Sequence, residues 1–205
     1  MYNERFMQRA LELARHGHPL PNPYVGAVLV HQGNIIGEGF HNSFGSAHAE
    51  IAALEDARKK YAEDIICEST LYVTLEPCAH YGKTPPCVPA LLREGIKEIY
   101  AGMLDQNPLV AGNGVAQLRS AGITVYVGFL EREIRELNRL YLQFLQSSRS
   151  FVILKNAVSL NGKITNKKEN KKYLSGIEAL YAVHQLRGFV DAVLVGVNTI
   201  LADDP

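Results

Sequence analysis

Three possible metal ligands and one nearby carboxylate stand out in this chain of 205 residues. The ligands are His48, Cys78 and Cys87, and Glu50 follows the histidine by two positions. One imidazole and two thiolates form a ligand set that zinc accepts, and three protein ligands leave the fourth tetrahedral position open to water. A glutamate this close to the histidine can stand beside that water without ligating the metal. The residues therefore predict a zinc site with one open position.

A zinc site of this kind can hydrolyse an amine. The metal lowers the pKa of a water molecule, and the glutamate carries protons from that water to the leaving amine. Zinc deaminases share this arrangement, although their common signature ends in Cys-x-x-Cys, whereas eight residues separate Cys78 from Cys87 here. Buried thiols and a core histidine could give the same residues by chance. The order of His-x-Glu and Glu-Pro-Cys favours the deaminase.

The chain between the two cysteines carries a more specific signal. Residues 77–87 read Pro-Cys-Ala-His-Tyr-Gly-Lys-Thr-Pro-Pro-Cys, which resembles the long metal loop of the riboflavin-pathway pyrimidine deaminases. The segments at 107–114 and 121–123 resemble the part that follows in that family. Several positions between 155 and 205 resemble the opening of its fused reductase domain. The resemblance covers nearly the whole chain, and the loop is highly specific to the bifunctional diaminohydroxyphosphoribosylaminopyrimidine deaminase and aminophosphoribosyluracil reductase.

The same resemblance implies a fold and a division into domains. Alternating strands and helices already predict an α/β sandwich. The family adds a cytidine-deaminase-like three-layer α/β/α sandwich, which we expect over residues 1–146. Residues 151–205 would form the incomplete opening part of a dihydrofolate-reductase-like α/β domain, after a Ser-rich linker.

Periodicity and capping signals place the site residues on particular elements. Asn3 is suited to cap a first helix, and two apolar runs around residues 32–34 predict a hairpin. We expect a helix from His48 to about Ala62, with its inward face formed by Ile51, Ala52 and Leu54. Another helix should run from Cys87 to a C′ residue at Gly95. His48 and Cys87 then begin helices, where the positive end of the dipole favours negative charge.

Later segments continue the alternation. Before the linker, the predicted elements are strands at 25–30, 35–40, 70–75, 99–103 and 123–127 and helices at 114–121 and 131–146. Beyond the linker, we expect a strand at 151–158, a charged surface loop at 166–172, a helix at 177–187 and a buried strand at 192–197. Glu76 precedes Pro77 and is expected to orient the metal loop.

Composition restricts the function without deciding it. The residues are 47% hydrophobic and 20% charged, with a formal net charge of zero, so the basic surplus of a nucleic-acid-binding domain is lacking. No apolar run is long enough to span a membrane, and residues 1–5 do not resemble a signal peptide. Three cysteines, two of them wanted as thiolates, suit a reducing cytoplasm. We expect a cytoplasmic enzyme with a small-molecule substrate and neither nucleic acid nor membrane as partner; a homo-oligomer is compatible with this.

The resemblance also implies the reaction. Zinc held by His48, Cys78 and Cys87 would serve the hydrolytic deamination of 2,5-diamino-6-ribosylamino-4(3H)-pyrimidinone 5′-phosphate. The products are 5-amino-6-(5-phosphoribosylamino)uracil and ammonia. Glu50 would take a proton from the attacking water and protonate the departing ammonia. NADPH is the cofactor of the second activity in that family.

Five residues are candidates for contact with the substrate. Lys83 and Thr84 lie in the loop between the cysteines, where a cation and a hydroxyl suit a ribose phosphate. Both residue types are also ordinary on an exposed loop. Asn22, His41 and His80 match positions that the family uses near its substrate, although Asn22 could simply shape the Pro-Asn-Pro turn.

Other matches to the family concern acidic and reductase positions. Asp105 matches an acidic position of the deaminase. Thr199 and Asp203 match positions that contact NADPH, and Arg187 matches a position that binds the reductase substrate. Asn161 and Tyr173 depart from the Asp and Trp that are usual there. A nicotinamide site needs the ends of several strands, and residues 151–205 provide few, so we expect this chain to deaminate without reducing.

Two other functions stay open on the sequence alone. The enzyme could deaminate another substrate, such as a cytosine nucleotide or an adenosine in tRNA, although the long loop speaks against both and the neutral charge against tRNA. Alternatively, the zinc is structural and the protein is not an enzyme. A structural site would need a fourth protein ligand, for which His80 is the nearby candidate.

Overall fold

The computed structural model describes residues 2–108, 110–147, 149–164 and 173–203, without the side chains of 202 and 203. The chain divides into two compact units, residues 1–151 and 152–205. The elements described in the first unit are α1 (Glu4–Ala14), β1 (Gly26–His31), β2 (Asn34–Phe40), α2 (Ala49–Arg58), α3 (Glu63–Cys67), β3 (Thr70–Leu75), α4 (Cys87–Arg93), β4 (Glu98–Met103), α5 (Asn113–Ser120), β5 (Thr124–Val127), α6 (Glu131–Leu137) and α7 (Arg139–Gln146).

The strands of the first unit form one mixed sheet in the order β2-β1-β3-β4-β5. β1 is antiparallel to both of its neighbours, whereas β3, β4 and β5 are parallel to one another. It follows that β2, β3 and β4 all run in the same direction. The loops after these three strands therefore emerge at one edge of the sheet, which is where an α/β fold builds its site.

Helices cover both faces of this sheet. Successive strand residues point to opposite faces. Gly26 lies against the backbone of α1, whereas Gly37 and Gly39 lie against α2 on the other side. Gly102 packs under Ile134 of α6 on the α1 side, and α4 contacts α2 and α5. The three-layer α/β/α sandwich that the family resemblance implies is confirmed.

Several local predictions are confirmed in detail. The Asn3 side chain accepts a hydrogen bond from Arg5 N and caps α1. β1 and β2 form the predicted hairpin around Gln32 and Gly33, which both have positive φ. Gly95, just after α4, has a φ of 72°, as a C′ glycine requires.

The helix that follows His48 is shorter than predicted. α2 ends at Arg58, and Glu63 and Asp64 begin a separate helix, α3, where acidic residues favour a helix N-terminus. The predicted inward face is confirmed only in part: Leu54 is buried and Ile51 packs against the core, but Ile51 and Ala52 are only partly buried. Small residues face the sheet instead, since Gly37 and Gly39 let the backbone of α2 approach closely. The fully buried or nearly buried positions of α2 are Ala49, Glu50, Ala53, Leu54 and Ala57.

The predicted long helix at 131–146 is interrupted at Asn138. This residue separates α6 from α7 and is 2% exposed. Its side chain accepts from Tyr24 N at 2.7 Å and donates to Tyr24 O at 3.0 Å. Asn side chains that bond to backbone groups compete with helix formation, and here the bonds to a distant segment prevail.

The second unit differs more from expectation. Its helices are α8 (Ile177–Phe189), which confirms the predicted helix, and α9 (Val197–Asp203). The strands predicted at 151–158 and 192–197 are wrong, because the structure assigns no strand to either segment. A strand is stable only beside a partner, and no segment described in this unit pairs with them. None of the side chains described from 152 to 201 is buried. The surface loop predicted at 166–172 lies outside the described residues.

Among the described residues, no helix is both long enough and apolar enough to cross a membrane.

Candidate deaminase site

The three predicted metal ligands converge at the edge of the sheet where β2, β3 and β4 end. His48 directly precedes α2, Cys87 is the first residue of α4, and Cys78 follows β3 by three positions. Their ligand atoms all lie within 4.8 Å of one another. The loops after β2 and after β3 thus bring together residues that are as much as 39 positions apart.

The spacing of these atoms fits a zinc ion. His48 Nδ1 lies 3.4 Å from Cys78 Sγ and 3.3 Å from Cys87 Sγ. Atoms bound to one zinc at about 2.0–2.3 Å are less than about 4.6 Å apart, so one ion can contact all three. Of the residues described, no further His, Cys, Asp or Glu belongs to this group. His80, which a structural zinc site would have needed, is not a member.

Hydrogen-bond donors surround the sulfur of Cys78. The neighbouring side chains, chiefly that of Cys87 and after it that of His48, lower the pKa of the Cys78 thiol. The first backbone N–H of α4, at Cys87, lies 3.4 Å from the same sulfur. Such donors favour a thiolate over a thiol, and the thiolate is the form that binds metals.

Glu50 lies beside the ligand group in the first turn of α2. It is only 3% exposed. Burial, and after it the charge of Cys78, raises the pKa of Glu50 to about 7. A carboxyl group with a pKa near neutrality can both accept and release a proton at neutral pH. Glu50 is therefore a buried carboxyl group beside the ligand atoms, and its role as a proton shuttle stays a prediction.

Two histidine rings at the site, those of the ligand His48 and of its neighbour His41, have defined orientations. His48 Nε2 lies 3.0 Å from Thr84 Oγ1, while Nδ1 faces the sulfurs. A partner of this kind orients the ring of a metal-binding imidazole. His41 Nδ1 donates to Ala47 O at 3.1 Å, and its Nε2 accepts from Asn22 Nδ2 at 3.0 Å. Burial lowers the pKa of His41, which favours this neutral form.

A cavity of about 290 Å³ opens beside the ligand atoms. Its volume is at the small end of the range for small-molecule sites. The five predicted substrate-binding residues all line it, namely Asn22, His41, His80, Lys83 and Thr84. The structure therefore brings every predicted deaminase residue to one place, while their contact with substrate stays a prediction.

The loops around this cavity are held by the carboxylate of Glu76. It is 3% exposed and accepts three backbone hydrogen bonds: Oε2 from Asp105 N and Gly112 N, at 3.2 and 2.9 Å, and Oε1 from Val115 N, at 3.1 Å. Gly112 directly precedes α5 and Val115 lies in its first turn, where an anion is favoured by the helix dipole. Glu76 therefore ties the segment leading to Cys78 to the loop after β4.

Two aromatic residues of the cavity wall, Tyr141 and Phe44, were not predicted from the sequence. Tyr141 of α7 lines the cavity and donates to Asp105 Oδ1 at 2.9 Å. Burial raises the pKa of Asp105, although the Tyr141 hydroxyl partly offsets this. Phe44, in the loop after β2, also lines the cavity. Neither aromatic residue has a local sequence signal. Tyr141 reaches the cavity from a helix far along the chain, and Phe44, although it shares the loop of His48, belongs to no ligand motif.

The predicted reductase residues lie in the second unit. Arg187 is in α8 and Thr199 is in α9, and both are partly buried. Asp203 is the last residue of α9, and its side chain lies outside the described residues.

Two family models match the chain. The cytidine and deoxycytidylate deaminase zinc-binding region matches residues 1–103. The RibD C-terminal domain matches residues 150–205. The first match includes all three predicted ligands and Glu50.

Known proteins are similar over nearly the whole chain. The riboflavin biosynthesis protein RibD of Aquifex aeolicus is 45% identical over 99% of this chain and 56% of its own length. The crystal structure of a diaminohydroxyphosphoribosylaminopyrimidine deaminase/5-amino-6-(5-phosphoribosylamino)uracil reductase from Thermotoga maritima is 46% identical, with a TM-score of 0.88 over 98% of this chain and 57% of that one. RibD of Acinetobacter baumannii has a TM-score of 0.86 at 42% identity, over 98% of this chain and 56% of that one.

The chain thus spans little more than half the length of these relatives. The resemblance predicted from the metal loop is confirmed at both ends of the sequence, including the match to the opening of the reductase domain. The chain belongs to the cytidine and deoxycytidylate deaminase zinc-binding family and, within it, to the RibD type.

Proposed function

We propose that this chain deaminates 2,5-diamino-6-ribosylamino-4(3H)-pyrimidinone 5′-phosphate to 5-amino-6-(5-phosphoribosylamino)uracil and ammonia. The observation that carries the proposal is the convergence of His48, Cys78 and Cys87, beside a cavity that His48, Cys78 and the buried Glu50 line. The names of the relatives supply the substrate. A bound zinc would supply Lewis acidity and thereby a water nucleophile at neutral pH.

The bond changes assign a task to Glu50. The product keeps the 5-amino group, so water replaces the amino group at position 2 of the ring. A C–O bond forms, the C–N bond breaks, and the leaving nitrogen needs one more proton to depart as ammonia. Glu50 takes a proton from the water and delivers it to that nitrogen, after which its carboxylate is regenerated. The second water hydrogen stays on the pyrimidine product.

Other residues hold the substrate in place for this step. Buried His41 and partly buried Asn22 line the cavity, and hydrogen bonds set the orientation of the His41 ring. Lys83 is exposed where the cavity meets solvent. We assign the ribose phosphate to this end, because an ammonium group there can bind a phosphate that is remote from the reacting carbon.

The function is tested by measuring ammonia release from three substrates with zinc-loaded protein. The substrates are the diaminopyrimidinone phosphate, cytidine monophosphate and a tRNA, and the control variant is Glu50→Gln. Release from the first alone, lost in the variant, supports the proposal. Release from cytidine monophosphate or tRNA alone would assign a different substrate. No release from any substrate would favour a structural zinc.

We also propose that these 205 residues do not carry out the reductase step of the relatives. Up to residue 201, every described side chain of the second unit is either exposed or only partly buried. A nicotinamide needs a pocket built from several strands. The test is NADPH oxidation at the expense of freshly deaminated substrate. Steady consumption that depends on the protein would refute this proposal and leave the deaminase proposal untouched.

A further inference from the structure

A lysine and an aromatic ring from different loops meet at the cavity. Lys83 Nζ lies 3.9 Å from the centroid of the Phe44 ring, and both residues line the cavity. Phe44 is 47% exposed, so the contact is made where the cavity meets solvent. The electron-rich face of an aromatic ring attracts a cation at this distance, even at a hydrated site.

A tight turn presents the Phe44 ring. Ser46 N donates to Ser43 O at 2.9 Å, and the Ser46 hydroxyl donates to the same oxygen at 2.7 Å. The hydroxyl also accepts from Ser43 N at 3.0 Å. Gly45 supplies the positive φ, 87°, that the second central residue of such a turn needs. Because Phe44 is the first central residue, its backbone is held on both sides.

For Lys83, in contrast, only the neighbouring backbone is anchored, and the side chain is not. The next residue, Thr84, is tied to His48 by a hydroxyl contact of 3.0 Å. Lysine carries its charge on a flexible four-carbon chain, so without a partner the ammonium would sample many positions over solvent. An ammonium group has three donors. Contact with one ring face leaves donors available to phosphate oxygens.

We infer that Phe44 is a positioning residue of the deaminase, whose ring holds the Lys83 ammonium where the phosphate of the substrate arrives. The inference rests on the proposed function, which makes Lys83 the phosphate-binding cation. Phe44 acts through Lys83 and leaves the reacting carbon alone, so it affects substrate binding and leaves turnover unchanged. A cation–π contact at an exposed site corresponds to about a two- to fivefold change in an equilibrium constant.

The first experiment compares steady-state kinetics of Phe44 variants. Phe44→Leu is expected to raise KM about two- to fivefold, with kcat within experimental error of the parent. Phe44→Tyr and Phe44→Trp keep a ring face and are expected to restore KM. Tyr81→Leu is the matched control, because Tyr81 is an 80% exposed aromatic residue of the loop that contains Lys83. A lower kcat in Phe44→Leu, or no rise in KM, would overturn the inference.

A double-mutant cycle separates positioning from direct contact. If Phe44 acts through Lys83, Phe44→Leu has no further effect on KM in a Lys83→Met background. Additive effects would mean that Phe44 touches the substrate by itself, and would overturn the inference. Thermal unfolding of each variant verifies that these exposed substitutions leave the fold intact.

A second measurement needs no substrate. The ring current of Phe44 should move the Lys83 ε-methylene NMR signals upfield in the protein alone, and Phe44→Leu should return them to the ordinary lysine range. Unshifted signals in the parent protein would overturn the inference whatever the enzyme does. Shifted signals in a protein that fails to deaminate the diaminopyrimidinone phosphate would refute the proposed function and leave the Phe44–Lys83 contact standing.

Discussion

Replacement of Glu76 by Gln tests how the loops around the cavity are held. The substitution keeps the size of the side chain but removes its charge and converts one acceptor oxygen into a donor. The variant can keep its remaining oxygen at the position that serves Asp105 N and Gly112 N. The new amide hydrogens then face Val115 N–H, which loses its 3.1 Å partner.

The expected cost follows from these contacts. A hydrogen bond to a charged group contributes about 1.5–3 kcal/mol, and a negative charge at a helix N-terminus adds about 0.3–1 kcal/mol. Glu76 is 3% exposed, so water cannot replace the lost partner. We expect Glu76→Gln to lower the free energy of unfolding by about 2–4 kcal/mol.

Urea unfolding followed by far-UV circular dichroism measures this change, because the chain has no tryptophan to report by fluorescence. With an m-value of about 2 kcal/mol per molar urea, the midpoint should fall by about 1–2 M. Glu55→Gln, on the exposed side of α2, is the matched control and should stay within about 0.5 kcal/mol of the parent. Equal midpoints for the two variants would refute the role of Glu76 as the tie between these loops.

Four further substitutions test the site. Cys87→Ala should lose most of its zinc, and full zinc content by metal analysis would remove Cys87 from the ligand set. Glu50→Gln should keep zinc and fold but lower kcat about 10²–10⁴-fold; a kcat within tenfold of the parent would contradict the shuttle. Lys83→Ala should raise KM about 10–100-fold with little change in kcat, whereas an unchanged KM would place the phosphate elsewhere. Asn138→Ala leaves Tyr24 N and O without partners and should cost about 2–4 kcal/mol in urea unfolding; a loss below about 0.5 kcal/mol would show that the helix break does not depend on Asn138.

Much of the fold of the first unit could be read from short stretches of sequence. The cap at Asn3, the hairpin around Gln32 and Gly33, and the helix end at Gly95 all depend on residues within a few positions of one another. Short-range hydrogen bonds and backbone preferences determine such features. The same approach failed for the strands predicted at 151–158 and 192–197, because β structure depends on pairing with other segments.

The metal site was predictable for a different reason. Few residue types bind zinc, and their order with Glu50 restricts the chemistry to a small set. The types and order of His48, Cys78 and Cys87 therefore predicted which side chains come together. The sequence could not predict the distances between their ligand atoms. The structure adds the 4.8 Å limit within which all ligand atoms lie.

The sequence alone thus determined the family, the succession of the five strands in the first unit and the residues able to ligate a metal. Only the tertiary structure decided how these parts are held. Asn138 contacts Tyr24 across 114 positions, and Glu76 meets Val115 across 39. Phe44 reaches Lys83 from another loop. Such contacts leave no local pattern, because a buried polar group or an aromatic ring takes its partner from whichever segment the packed fold brings beside it.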